Sequence, residues 1–210
     1  MAYGSFNHYE DVAEKFSISF RETAFLQEKP ILIHPEILKI ITDNLTTRRN
    51  YVSESSICET IISPILTIVA KQHELPVWSH IRFDVSESEG LCGIPDYLIA
   101  PPSSIGTRFT QPIICIAEAK KEDFNQGWAQ VLTEMIAAQR FNQNEQLQLD
   151  GIVTTGNFWQ FAKLNGKVFT MEIMDYAAKE NLDKLLNILN WLMFNAKNRI
   201  SLVNTNTTPK

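Results

Sequence analysis

The stretch PIICIAEAK, residues 112–120, reads as a strand that begins apolar and ends charged. A side-chain period of two places Ile114, Ile116, Glu118 and Lys120 on one face and Ile113, Cys115, Ala117 and Ala119 on the other. A carboxylate or ammonium at the end of a buried strand is costly without a partner, so Glu118 and Lys120 each call for a metal ion or a counter-charge.

Upstream, WSHIRFDV (78–85) alternates Ile81, Phe83 and Val85 with His80, Arg82 and Asp84, the pattern of a half-buried strand. SESEG (86–90) reads as a turn, and LCGIPDYLIA (91–100) as a further strand in which Asp96 is the only charged residue between Glu89 and Arg108. If these strands and 112–120 form an antiparallel meander across the loop PPSSIGTRFTQ (101–111), Asp96 and Glu118 converge on one point above the sheet. Two carboxylates that close repel unless a cation lies between them. Oxygen donors of this kind suit Mg²⁺ or Mn²⁺, and Lys120 would reach the same phosphate or attacking water.

Helices frame these strands. HPEILKIITDNL (34–45) has helical spacing, and in YVSESSICETIISPILTIVAKQHEL (51–75) Ser53 is a plausible N-cap to an apolar stripe of Ile57, Ile61, Ile65 and Ile68, with Pro64 inside it. Glu54 falls on that stripe. FNQGWAQVLTEMIAAQRF (124–141) repeats Trp128, Leu132, Met135 and Ala138 as a helix does, and NLDKLLNILNWLMF (181–194) is amphipathic. DGIVTTG (150–156) reads as a strand, and FWQFAKLNGKVFTMEI (158–173) as a hairpin about Asn165-Gly166. The expectation is a single α/β (α+β) domain with a central mixed sheet of about five strands flanked by helices. Residues 1–50 would form a helical extension, 51–175 the core, 176–200 a final helix and 201–210 a frayed tail.

The 210 residues, 44% hydrophobic and 20% charged, fit an ordinary globular domain. No apolar run is long enough to span a bilayer and the start lacks a secretory pattern, which predicts a cytoplasmic protein without membrane partners. Cys58, Cys92 and Cys115 lie far apart among apolar neighbours and read as buried thiols. His8, His34, His73 and His80 lack zinc-site spacing and read as structural. A net charge of −5 argues against strong nonspecific attraction to phosphate.

Pro95-Asp96 followed by Glu118-Ala119-Lys120 resembles the PD-(D/E)xK nuclease superfamily. Three flanking segments, SESSICETIISPIL (53–66), GWAQVL (127–132) and GIVTTGNFWQFAKLNGKVF (151–169), are similar to the N-terminal nuclease domain of type I restriction enzyme subunits. The resemblance covers residues 53 to 173. It implies a restriction-endonuclease-like core and Mg²⁺- or Mn²⁺-dependent hydrolysis of phosphodiester bonds, with DNA as the expected nucleic acid. By resemblance, Asp96 and Glu118 bind the metal with help from the Ala119 carbonyl, and Lys120 positions or activates the water. Glu54 is an outer or second-metal ligand, and Gln130 a positioning residue. Lys121, on the opposite face, is a solvated charge or a DNA contact; Arg48-Arg49 reads as a solvated pair, and Trp128 and Trp159 as core aromatics. A catalytically inactive nuclease-fold module acting through a protein partner is the alternative that the acidic charge favours. A homodimer through the Leu-rich helix 182–194 is compatible with either.

Overall fold

The computed structural model describes residues 3–206, with side chains as far as Ser201. Ten strands are described: β1 (Ser19–Glu22), β2 (Val77–Ser79), β3 (Phe83–Ser86), β4 (Leu91–Gly93), β5 (Tyr97–Ile99), β6 (Cys115–Ala119), β7 (Leu149–Thr154), β8 (Phe158–Asn165), β9 (Val168–Met171) and β10 (Tyr176–Ala177). The α-helices are α1 (Tyr9–Phe16), α2 (Pro35–Thr46), α3 (Glu54–Ile57), α4 (Ser63–Lys71), α5 (Phe124–Asn142) and α6 (Leu182–Asn206).

The main sheet is mixed and has eight strands rather than about five, in the order β1-β9-β8-β7-β6-β5-β2 with β10 beside β8. β6–β7 and β1–β9 are parallel, and the other pairings in this sheet are antiparallel. The additional strands are β1 and β10, which are too short to show alternation; β1 is exposed along its whole length. Residues 1–50 are therefore not only helical. A carboxylate helps to hold them: Glu172 Oε2 accepts from the amides of Phe25 and Leu26 at 2.8 and 2.9 Å.

The expected meander is also broken. Residues 78–85 divide at His80, whose φ of 53° is left-handed, and 91–100 divide at Ile94-Pro95-Asp96. The outer halves, β3 and β4, pair as a separate hairpin, while β2, β5 and β6 remain in the main sheet.

One face of the sheet is covered by α2, α3, α4 and α6 and buries Ile57, Ile61, Ile65, Tyr97, Ile152 and Phe161. The other is covered by α1 and α5 and buries Ile116, Trp128, Leu132, Val153, Leu164 and Phe169. Trp128 and Trp159 are both core residues. Leu185, Leu186, Leu189 and Leu192 of α6 lie in the first of these cores, so that apolar face is used within the chain. The helix runs on to Asn206, past the point where a tail was expected; residues 207–210 lie outside the described part. Among the described residues, no helix is long and apolar enough to cross a membrane.

Between α3 and α4 the chain makes a π-turn, Cys58–Ile62. Pro64 has no N–H to give the carbonyl of Thr60 four residues earlier. The side-chain amide of Asn44 donates to that carbonyl instead, at 2.8 Å. Ser53 caps the start as expected, accepting from the Ser56 amide at 3.1 Å.

Candidate active site

The antiparallel ladder between β5 and β6 ends at the pair Tyr97–Ala117. Pro95 cannot donate to a further rung, so the strands part there. Side chains take over the vacated bonds: the Asp96 amide donates to Glu118 Oε1 at 2.9 Å, and the Ala119 amide donates to Asp96 Oδ2 at 2.8 Å. On its other side β6 stays zipped to β7, where the Lys120 amide donates to the Thr154 carbonyl at 2.9 Å. The two acids thus stand where a departing strand separates from a held one.

Alternation along β6 is regular from Cys115. Ile116 packs toward α5, whereas Ile114 lies in the opposite core, not on the Glu118 face as the sequence suggested. Glu118 and Lys120 meet groups on α5. Lys120 Nζ lies 3.5 Å from Glu118 Oε2 and donates to Gln130 Oε1 at 3.1 Å. The Gln130 side-chain amide in turn donates to Glu134 Oε1 at 3.2 Å, so Gln130 bridges the lysine to a further acid. The close approach of α5 depends on Gly127. A Cβ there would lie 2.6 Å from Val153 Cγ1 and 3.0 Å from Lys120 Cγ. Asp123 caps α5, accepting from the Gln126 amide at 3.0 Å.

Asp96, Glu118, Lys120 and Gln130 are therefore gathered in one place. Glu54 is not on a buried face: it is exposed at the start of α3, with Oε1 accepting from the Lys121 amide at 3.3 Å. Lys121 is exposed, as are Arg48 and Arg49. Glu134 went unnoticed in the sequence although it lies four residues after Gln130, the spacing that puts two helical side chains on one face.

The electrostatics are those of buried acids crowded around one ammonium. Glu118 is 1% exposed and Glu134 is fully buried. Burial, then the nearby Glu134 and Asp96, hold the Glu118 carboxyl well above the usual range, with Lys120 opposing them. Burial likewise pushes Glu134 up to about 8, while hydrogen bonding from Gln130 and from Glu118 pulls it back. Glu134 Oε2 is buried without a hydrogen-bond partner. Burial works against the Lys120 ammonium, but Glu118, Asp96, Glu54 and Glu134 outweigh it and hold its pKa above the ordinary lysine value.

On its other carboxylate oxygen Asp96 faces His80, whose Nε2 lies 3.4 Å from Oδ1. The backbone at His80 is tied to the same residue, its amide donating to the Asp96 carbonyl at 3.0 Å. The alternating pattern of 78–85 concealed this arrangement by making His80 look like one more outward strand residue.

Beside the end of β6 lies a groove of about 480 Å³. It is lined by Lys121, Lys179, Tyr51, Phe124 and Phe158, among others. Lys179 Nζ sits 4.1 Å above the Tyr51 ring, and Phe158 is 46% exposed.

No family model and no curated protein matches this chain.

Proposed function

We propose that this chain is a metal-dependent nuclease that hydrolyses phosphodiester bonds, DNA being the expected substrate, on a restriction-endonuclease-like core. The supporting observation is the excess of acids over cations where β5 and β6 part: Asp96, Glu118 and Glu134 against Lys120, with Glu118 and Glu134 buried. Such a group is stable only with shared protons or with a cation.

The donors fit Mg²⁺ or Mn²⁺. Asp96 and Glu118 each have one oxygen held by a backbone amide, which orients the carboxylate, and a second 3.4 Å from His80 Nε2 and 3.5 Å from Lys120 Nζ, respectively. Ions of this class commonly take one or two protein carboxylates and complete their shell with water and substrate phosphate. The bound ion would lower the pKa of a water and offset charge on the phosphate.

The chain's own part is positioning. Lys120, whose ammonium donates to Gln130 Oε1, would contact the scissile phosphate or the attacking water. Glu134 anchors Gln130, and the surrounding acids, Glu118 foremost, hold the lysine charged. Lys121 and Lys179 beside Tyr51 and Phe158 offer a nucleic-acid strand both phosphate contacts and stacking surfaces.

Incubation of plasmid and single-stranded DNA with Mn²⁺ tests the proposal. The wild type should cleave, and Asp96→Ala and Lys120→Ala, both folded by circular dichroism, should not. A general acid–base or water-positioning group contributes about 10²–10⁴-fold, the loss expected for Lys120→Ala. Full activity in both variants refutes the proposal, and an inert wild type favours a binding module.

A further inference from the structure

We infer that Cys58, His80 and Asp96 form a binding site for a borderline-soft divalent transition-metal ion, with Zn²⁺ the ion it suits best. Among the described residues, these are the side chains whose thiol, imidazole and carboxylate ligand atoms all lie within 4.8 Å of one another. They come from separate parts of the chain: Cys58 opens the π-turn, His80 follows β2, and Asp96 precedes β5.

A thiolate, an imidazole and a carboxylate together make a zinc-type donor set, whereas Mg²⁺ prefers oxygen alone. Tetrahedral bonds of about 2.0–2.3 Å put ligand atoms roughly 3.3–3.6 Å apart, a spacing that His80 Nε2 and Asp96 Oδ1 already have at 3.4 Å, with the Cys58 sulfur within 4.8 Å of a ligand atom of each. The His80 side chain is 51% exposed and can adjust to bring the imidazole onto an ion shared with the thiol. Its Nδ1 is within 2.9 Å of Ser79 Oγ, which leaves Nε2, the nitrogen facing Asp96, for the ion. Cys58 is anchored through its carbonyl, which accepts from the Tyr97 hydroxyl at 2.9 Å. Such outer bonds orient metal ligands. Burial pushes the thiol up to about 11, so capture of an ion displaces its proton to solvent. Three protein ligands leave a fourth position for water or an exogenous group.

No linear motif announces this site, which is why the histidines read as structural. The inference does not rest on phosphodiester hydrolysis: Cys58 and His80 have no part in that reading, and only Asp96 is shared.

Titration of the tag-free full chain with Co²⁺ provides the test. Thiolate-to-cobalt charge-transfer absorption should develop in the near ultraviolet to a stoichiometry of one and be displaced by Zn²⁺. Cys58→Ser should abolish the band. His80→Ala should weaken binding by at least about tenfold, the lower end of the effect of losing even an outer-sphere partner. Absence of the band, or its survival in Cys58→Ser, overturns the inference. If Cys58→Ser fails to fold, the exposed His80 decides the matter: unchanged Co²⁺ affinity in His80→Ala overturns it equally.

Discussion

Asp96 and Glu118 are locked together by a reciprocal pair of bonds, in which the Asp96 amide donates to the Glu118 carboxylate and the Ala119 amide donates to the Asp96 carboxylate. Each acid is thus part of the sheet's own bonding at the point where the ladder stops. The parting of β5 and β6 is held in shape by the same groups proposed to hold the ion.

That double duty separates two substitutions at one position. Asp96→Asn keeps an acceptor for the Ala119 amide and should unfold close to the wild-type midpoint. Asp96→Ala leaves that amide without its partner and should be less stable by about 1–3 kcal/mol. Both should lose Mn²⁺-dependent cleavage. Urea denaturation monitored by tryptophan fluorescence checks the first part, and equal stability of the two variants would contradict it.

The metal-free protein should lose stability as the pH rises. Glu134 is pushed up to about 8 and Glu118 well above its usual range, so the folded state holds these protons more tightly than the unfolded chain does. The stabilising contribution is fully present below the ordinary carboxylate pKa, and it drains away as the pH climbs through the raised values. With EDTA present, Tm should fall between about pH 5 and pH 9, Glu134→Gln should flatten the slope, and Mn²⁺ should restore stability at the alkaline end. A metal-free Tm that rises over this range would contradict the assignment of buried, protonated acids.

Gly127→Ala probes the contact that brings α5 to the site. The added methyl would meet Val153 and the Lys120 side chain, and overpacking of this kind costs about 1–3 kcal/mol. Because Lys120 is one of the groups displaced, cleavage should fall further than the stability loss explains. The comparison is a rate measured well below the variant's own melting range.

The groove predicts the salt dependence of DNA binding. Lys121→Ala and Lys179→Ala should each weaken binding across sequences and lower the slope of log affinity against log salt by about 1. Fluorescence anisotropy with a metal ion that does not support cleavage measures this. An unchanged slope in both variants would place the strand elsewhere.

The parts of the fold that were legible in the sequence are those whose periodicity runs unbroken. The helix 124–141 and the strand–turn–strand 150–173 emerged close to their final bounds, because an apolar stripe or alternation persists through each. The WSHIRFDV reading failed at His80, where the side-chain pattern continues but the backbone turns left-handed. β1 and β10 were missed because tertiary pairing, not local pattern, makes strands of such short segments. At the site, Asp96, Glu118, Lys120 and Gln130 could be nominated from spacing and resemblance. Glu134 was passed over despite its spacing from Gln130, since an acid within LTEMIAA looks like a solvated helix face until the sheet is seen against it. Glu54 shows the reverse error: helical spacing put it on the buried stripe, but it stands in the first turn of α3, where the chain is still exposed.

A crystal soaked in Mn²⁺ and measured at the manganese absorption edge tests the central claim most directly. The account predicts an anomalous peak between the carboxylates of Asp96 and Glu118, within about 2.3 Å of an oxygen of each, and its loss in Asp96→Asn. A saturating soak that leaves that position without a peak, or puts the ion on other residues, would contradict it.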